Sequence, residues 1–300
     1  MKRKILLILI VFACFQSFGQ SDEKLKVISY NIWNGYDWGK DTLRRKQLCN
    51  WVDEQNPEVV ALQELCGYTP EKLQEDAESW GHPYSELLKT TGYSVGITSS
   101  SPITVISRLF GNLHHGALHV KINEINYLVV HLHPGSIKRR REEVDILKAY
   151  IQGYIDRDED LMVLGDFNTH SPLDASLYEE KSDWLQKDWD NNKDKGLDGN
   201  MAVKMQLDYA VMAGFMSLPL FDSVWQSERT GKGMESFPAM VLTDKERKGI
   251  EIPANERIDY LMISENLQGK LTKAYVANGE ENWYLSDHYP VVADFDMNEY

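Results

Sequence analysis

Five residues of this chain, Glu64, Asp166, Asn168, Asp287 and His288, together hold the groups that phosphoester cleavage needs. Carboxylates supply oxygen ligands for a hard divalent cation and a base for an attacking water, while an amide and an imidazole donate to phosphoryl oxygens. Asn31 and His131 extend the set. Taken singly, each has an ordinary structural use as a helix cap, an Asx turn or a surface imidazole. Their shared feature is placement. Each stands at or next to the end of an apolar strand-like run or, for Asp287 and His288, just before one, where rigid backbone holds a side chain better than a loop does. No cysteine or dense zinc-type histidine cluster accompanies them, which favours Mg²⁺ or Mn²⁺ over Zn²⁺.

Apolar patterning indicates the elements that must carry these groups. Residues 26–30 read as a strand leading to Asn31, and Asp41 caps a helix bearing Leu43, Leu48, Trp51 and Val52 that Pro57 stops. Residues 59–62 form a buried strand ending at Gln63 and Glu64, and Thr69-Pro70 opens a second helix that Gly81 closes. Strands are expected around 94–98, 103–107, 117–122 and 127–131. A helix over 137–154 then leads to a buried strand at 161–164, whose end carries Gly165-Asp166-Phe167-Asn168. A less regular stretch, 171–254, precedes two final strands at 258–263 and 291–295. Strands outnumber helices, with no internal repeat or linker, so one domain over residues 20–300 and an α/β sandwich follow better than a strictly alternating parallel fold.

These motifs resemble the endonuclease/exonuclease/phosphatase superfamily of metal-dependent phosphoesterases, of which deoxyribonuclease I is one. The matches are Ser29-Tyr30-Asn31-Ile32, Val60-Ala61-Leu62-Gln63-Glu64, Pro102-Ile103 with Ile106-Ser107-Arg108, Val130-His131-Leu132, Gly165-Asp166-Phe167-Asn168, Arg257-Ile258-Asp259-Tyr260 and Ser286-Asp287-His288-Tyr289-Pro290-Val291. They run in the family's order over residues 26–296. Gly-Asp-Phe-Asn followed by Ser-Asp-His-Tyr-Pro-Val is the specific pair. The resemblance implies a four-layer α/β/β/α sandwich, with two stacked, mainly antiparallel sheets, helices on both outer faces and the site at one end.

It also implies roles. Glu64 and Asp287 would ligate Mg²⁺ or Mn²⁺, with Asn31 completing the shell or touching the phosphate. Asp166 would activate the water, oriented with Asn168, whose amide donates to a phosphoryl oxygen without adding charge. His288 would donate to the phosphoryl group while Asp259 holds its other ring nitrogen. His131 matches the second family histidine, an acid for the leaving group, although His133 lies two residues on along the same strand face. In the deoxyribonuclease branch that histidine has a glutamate partner. Residues 103–116 hold no acid here, which puts a full relay of that type in doubt.

Four cations, Lys138 to Arg141, follow the helix cap Ser136, where the helix dipole disfavours them. Arg140 and Arg141 are therefore read as binders of a second substrate phosphate or polymer backbone, with neutralisation by Glu142 and Glu143 as the plain alternative. Trp184, Trp189 and Trp225 are either core or stacking residues.

Met1-Lys2-Arg3-Lys4 and the apolar run 5–13 read as a secretory signal cut near Gly19/Gln20, too short for a membrane span; a lipid anchor at Cys14 is the alternative. Export to the periplasm or medium would leave Cys49 and Cys66, bonded or simply buried. Losing Lys2, Arg3 and Lys4 moves the net charge from −14 to −17, which argues against a broad basic face for duplex DNA but not against a local one. The expected partner is a phosphate ester, nucleic acid among the options, bound by a monomer with no transmembrane span. The reading is an exported phosphodiester or phosphomonoester hydrolase, with a nuclease or a silent binding module as alternatives.

Overall fold

A computed structural model describes residues 24–227, 233–245 and 256–298; the expected leader and Cys14 lie outside them. Among the described residues, twelve strands form two six-stranded sheets. In chain order they are β1 (Lys24–Asn31), β2 (Val59–Gln63), β3 (Tyr84–Leu87), β4 (Gly96–Ser99), β5 (Thr104–Leu109), β6 (Ala117–Ile122), β7 (Ile125–His131), β8 (Leu161–Asp166), β9 (Leu220–Asp222), β10 (Asp259–Ser264), β11 (Leu271–Val276) and β12 (Val291–Asp296). One sheet runs β11-β12-β1-β2-β4-β3 and the other β5-β6-β7-β8-β10-β9. Among the described strands only β1 with β2 and β7 with β8 pair in parallel; every other neighbour is antiparallel.

Strand alternation sorts the apolar side chains into layers. Val27, Ala61, Ile97 and Ala293 of one sheet meet Leu118, Val129, Leu164 and Leu261 of the other in a shared core. The opposite faces bury Ile28, Tyr30, Val60 and Val292 against Leu48 and Val52 of the helix Thr42–Gln55 and Leu73 and Ala77 of the helix Pro70–Ser79. Leu128, Val130, Val163 and Tyr260 pack on Val144, Leu147 and Ile151 of Ile137–Ile155 and on Val211 and Phe215 of Ala210–Met216. The result is the expected α/β/β/α sandwich. The helix starts follow their caps: Asp41, Thr69 and Ser136 accept from the backbone N–H of Arg44, Lys72 and Arg139.

The irregular stretch has its own order. Ser182–Asp194 is a helix, and Leu185, Tyr178, Met201 and Leu207 form a small separate cluster with Trp184 and Trp189 packed against it. Trp225 packs on the inter-sheet core. Cys49 and Cys66 are both free and buried, and burial pushes each thiol up to about 12. No helix among the described residues is long and apolar enough to cross a membrane.

Candidate active site

The parallel pairs decide where the chemistry gathers. β1, β2, β7 and β8 point their C-terminal ends to one edge of the sandwich, bringing Asn31, Glu64, His131 and Asp166 there. β10 and β12 run the other way and begin at that edge, so Asp259 opens one and Asp287-His288 precedes the other. Register then centres Asp166, which pairs with His131 of β7 on one side and Asp259 of β10 on the other.

Its carboxylate is a junction between the sheets. Asp166 Oδ2 accepts from Asn31 Nδ2 at 3.0 Å, and the same amide reaches Glu64 Oε1 at 3.3 Å. Asp166 Oδ1 accepts the backbone N–H of Asn168 at 2.8 Å. Asn168 sits at φ +50, and one hydrogen of its side-chain amide goes to the Leu132 carbonyl at 3.0 Å, leaving the second for another acceptor. His131 Nε2 and His288 Nε2 stand 3.5 and 3.9 Å from Asp166 Oδ2.

His288 is held from behind. Its Nδ1 donates to Asp259 Oδ2 at 2.9 Å, and Ser236 Oγ in turn accepts the backbone N–H groups of Ile258 and Asp259, each at 3.1 Å. Ser286 Oγ donates to the Asn31 carbonyl at 2.6 Å, tying the Asp287-His288 loop to the end of β1. Burial opposes the imidazolium, but Asp259, Asp287 and Asp166 outweigh it and hold the ring well above its ordinary value.

Glu64, at φ +61, is gripped by a segment no periodicity announces. Six consecutive residues, Trp33 to Trp38, adopt left-handed helical angles, φ +51 to +60. Such a turn costs L-residues about 1–2 kcal/mol each. Gly35 is required within it, since a Cβ there would land on the Cys66 carbonyl. The buried Arg44 offsets the strain: it donates to the carbonyls of Ile32, Trp33 and Leu285 at 2.8, 2.9 and 3.0 Å and stacks over the rings of Trp33 and Tyr36. The turn's product is the Asn34 N–H, which binds Glu64 Oε2 at 2.7 Å.

Two glycine and charge effects give testable results here. Gly165, at φ +145, lets β8 approach β7 so closely that a Cβ would overlap the Val130 carbonyl. Gly165→Ala should lower unfolding stability by about 2–4 kcal/mol, read by chemical denaturation, and a shift under about 0.5 kcal/mol would refute the crowding. Burial, joined by the charge of Asp259, pushes Asp166 up to about 8; burial with Glu64 pushes Asp287 up to about 7. Unfolded, such carboxyls titrate near about 3.9. The folded chain thus holds protons that the unfolded chain has released. This contribution to stability is full below about pH 4 and is lost as pH rises through about 8. In EDTA the thermal midpoint should therefore fall between pH 4 and 8, and a divalent cation added at pH 8 should raise it. Equal midpoints at pH 5 and 8 would contradict this.

Among the described residues, donor atoms of Asp166, Asp259 and His288 lie within 4.8 Å of one another and could hold a metal. His288 already brings positive charge to that trio, while burial and the charge of Glu64 raise the neighbouring Asp287 carboxyl, so Glu64 and Asp287 are further oxygen donors of the kind a hard cation takes.

Arg140 and Arg141 are not delivered to this edge, a correction to the sequence expectation. Arg140 is wholly buried, and its guanidinium donates to the His133 and Gly199 carbonyls and to Asn200 Oδ1. Arg141 pairs with Asp208. Successive helical residues point about 100° apart, so a run of cations cannot form one face. Nor is the site free of clustered imidazoles. His131, with no acid partner on Nδ1, stacks on His115 at 4.1 Å between ring centroids, and His114 and His133 follow. The His114-His115 doublet was the available signal.

The pattern of the Endonuclease/Exonuclease/phosphatase family matches residues 28–288, most of the chain. The chain belongs to that family. Solved structures agree in fold. An AP endonuclease from Archaeoglobus fulgidus superposes with a TM-score of 0.69 at 18% identity, covering 91% of this chain and 100% of its own. The 3′-5′ exonuclease NExo of Neisseria meningitidis gives 0.65 at 20% identity with the same coverages. Neisserial NExo described as a 3′ phosphatase, in a substituted form bound to a product DNA hairpin, gives 0.64 at 20%, again over 91% and 100%. No curated protein matches the chain. Family members are hydrolytic phosphoesterases.

Proposed function

We propose that this chain is an exported, Mg²⁺- or Mn²⁺-dependent hydrolase of phosphate esters. The observation that carries the reading is the position of Asp166, flanked in register by His131 and Asp259 and bonded to Asn31, with Glu64 and Asp287 in electrostatic reach. Glu64 and Asp287, with Asn31 beside them, would hold the cation, which neutralises charge on the phosphoryl oxygens when bound.

The chain's own residues then divide the work. Asp166, in its ionised form, takes the proton of the attacking water, and burial raises the affinity of its carboxylate for that proton. The second amide hydrogen of Asn168 and the imidazolium of His288 donate to the phosphoryl oxygens as charge develops there. Asp259 fixes the ring of His288 for that task. His131, 3.5 Å from Asp166, would face the leaving group; burial, with His115 and His288 adding to it, holds the ring well below its ordinary value, so it would donate there as a neutral N–H. Export is supported by the basic start and apolar run before Gly19.

Purified protein should hydrolyse bis(p-nitrophenyl) phosphate in Mg²⁺ and stop in EDTA; equal rates in both would defeat the metal-dependent reading. A nuclease is the second reading, favoured by DNA-acting relatives of the same fold. Its mark is salt. Affinity for a nucleic acid should fall steeply between 50 and 200 mM salt, roughly by 10³ where six phosphates are contacted, and for a small ester hardly at all. A silent binding module is opposed by the complete set of carboxylate, amide and imidazole groups at one edge.

A further inference from the structure

Four imidazoles continue outward from Asp166, and the hydrolytic reading uses only the first. His131 and His115 are buried and nearly parallel, their planes 22° apart; His115 meets His114 at 4.3 Å, and His114 meets His133 at 4.2 Å. The array therefore starts at Asp166 and ends at the half-buried His133 and the exposed His114.

Its polar atoms are incompletely used. His131 Nδ1 and His115 Nε2 are buried with no partner among the described residues, although buried polar atoms in folded chains nearly always have one. His133 accepts the Gly135 N–H on Nδ1 at 3.1 Å, so its proton sits on Nε2 as a donor. The surrounding acids are engaged elsewhere. The Glu143 carboxylate accepts the backbone N–H groups of His114 and His133 at 2.7 and 2.8 Å, locking the two loops together. Asp198 accepts from Ser136, Ile137 and Lys138 at the helix start. Burial, with the charges of Lys89 and Arg139 adding to it, disfavours positive charge on His114, and Arg139 itself pairs with Glu142 at 3.3 Å. A local field of donors and cations thus sits beside the site in a chain of net charge −14.

We propose that His114, His115 and His133 form a subsite for a second phosphoryl group of the substrate, on the His131 side of the bond that breaks. The inference rests on the hydrolase reading and narrows it to substrates carrying two neighbouring phosphates. It moves the role first read into Arg140 and Arg141 to the imidazoles. Neutral rings suit it, since each offers an N–H without demanding a counter-charge when empty.

The test compares a dinucleotide phosphodiester bearing a terminal phosphate on its leaving nucleoside with the same dinucleotide lacking it. Wild type should favour the first by about tenfold in kcat/KM, mostly through KM, the size of one hydrogen bond to a charged group. His114→Ala/His133→Ala should bring the ratio near one. If that protein fails to melt cooperatively, His114→Gln and His133→Gln singly take its place and should each reduce the ratio. Independently of turnover, inorganic pyrophosphate titrated into metal-free protein should shift the ring NMR signals of His114 and His133. Hydrolysis without discrimination, and without ring shifts, overturns the subsite and spares the hydrolase. Ring shifts with no hydrolysis of either ester do the reverse.

Discussion

Asp166→Asn should lower phosphodiester turnover about 10²–10⁴-fold, the range a positioned general base supplies. The substitution keeps size and leaves one oxygen to accept from Asn31 or the Asn168 backbone, so the fold should persist. It removes the buried carboxylate proposed to take the water's proton, a task the two flanking imidazoles are not suited to assume: His288 is held charged and His131 is desolvated. Thermal melting alongside the kinetics separates lost chemistry from lost structure. A variant that melts like wild type and retains more than a tenth of its rate would remove Asp166 from the reaction.

Glu64→Ala should be comparably severe, about 10³-fold, because several kcal/mol of charge neutralisation go with the cation. The failure should take a different form. Glu64 is fixed by the Asn34 N–H and the Asn31 amide rather than by the reacting groups, so its loss should raise the Mg²⁺ concentration needed for half activity, with partial recovery at high metal. Unchanged Mg²⁺ dependence at reduced rate would place the cation elsewhere, with Asp166, Asp259 and His288 the next group to test.

The layered fold was legible because its central strands bury both faces. Residues 59–62 and 161–164 are continuous apolar runs, 26–30 is a β-branched and aromatic run interrupted by Ser29, and the helices announce themselves by Asp41, Thr69-Pro70 and Ser136. Of the edge strands, Thr104–Leu109 matched the expected run at 103–107, but two others were not legible. Tyr84–Leu87 and Leu271–Val276 are short, half-exposed and mixed in polarity, since an edge strand pairs on one side only. The helix Ser182–Asp194 escaped notice because it buries little beyond Leu185.

At the site, residue types were legible and directions were not. Asp166, Asp259 and His131 fall side by side through register between strands far apart in sequence, which no single strand's pattern displays. The turn from Trp33 to Trp38 that steadies Glu64 has no periodic signature, only Gly35 and a buried Arg44 to fold around. The arginines misled for a plain geometric reason: adjacency in sequence is divergence on a helix, and Arg140 points inward.

The most direct measurement of the central claim is hydrolysis in ¹⁸O-labelled water by purified protein with Mg²⁺, set beside Asp166→Asn. The account predicts one ¹⁸O in the phosphoryl product of the wild type and almost no product from the variant. Unlabelled product, or labelled product in equal yield from both proteins, would contradict it.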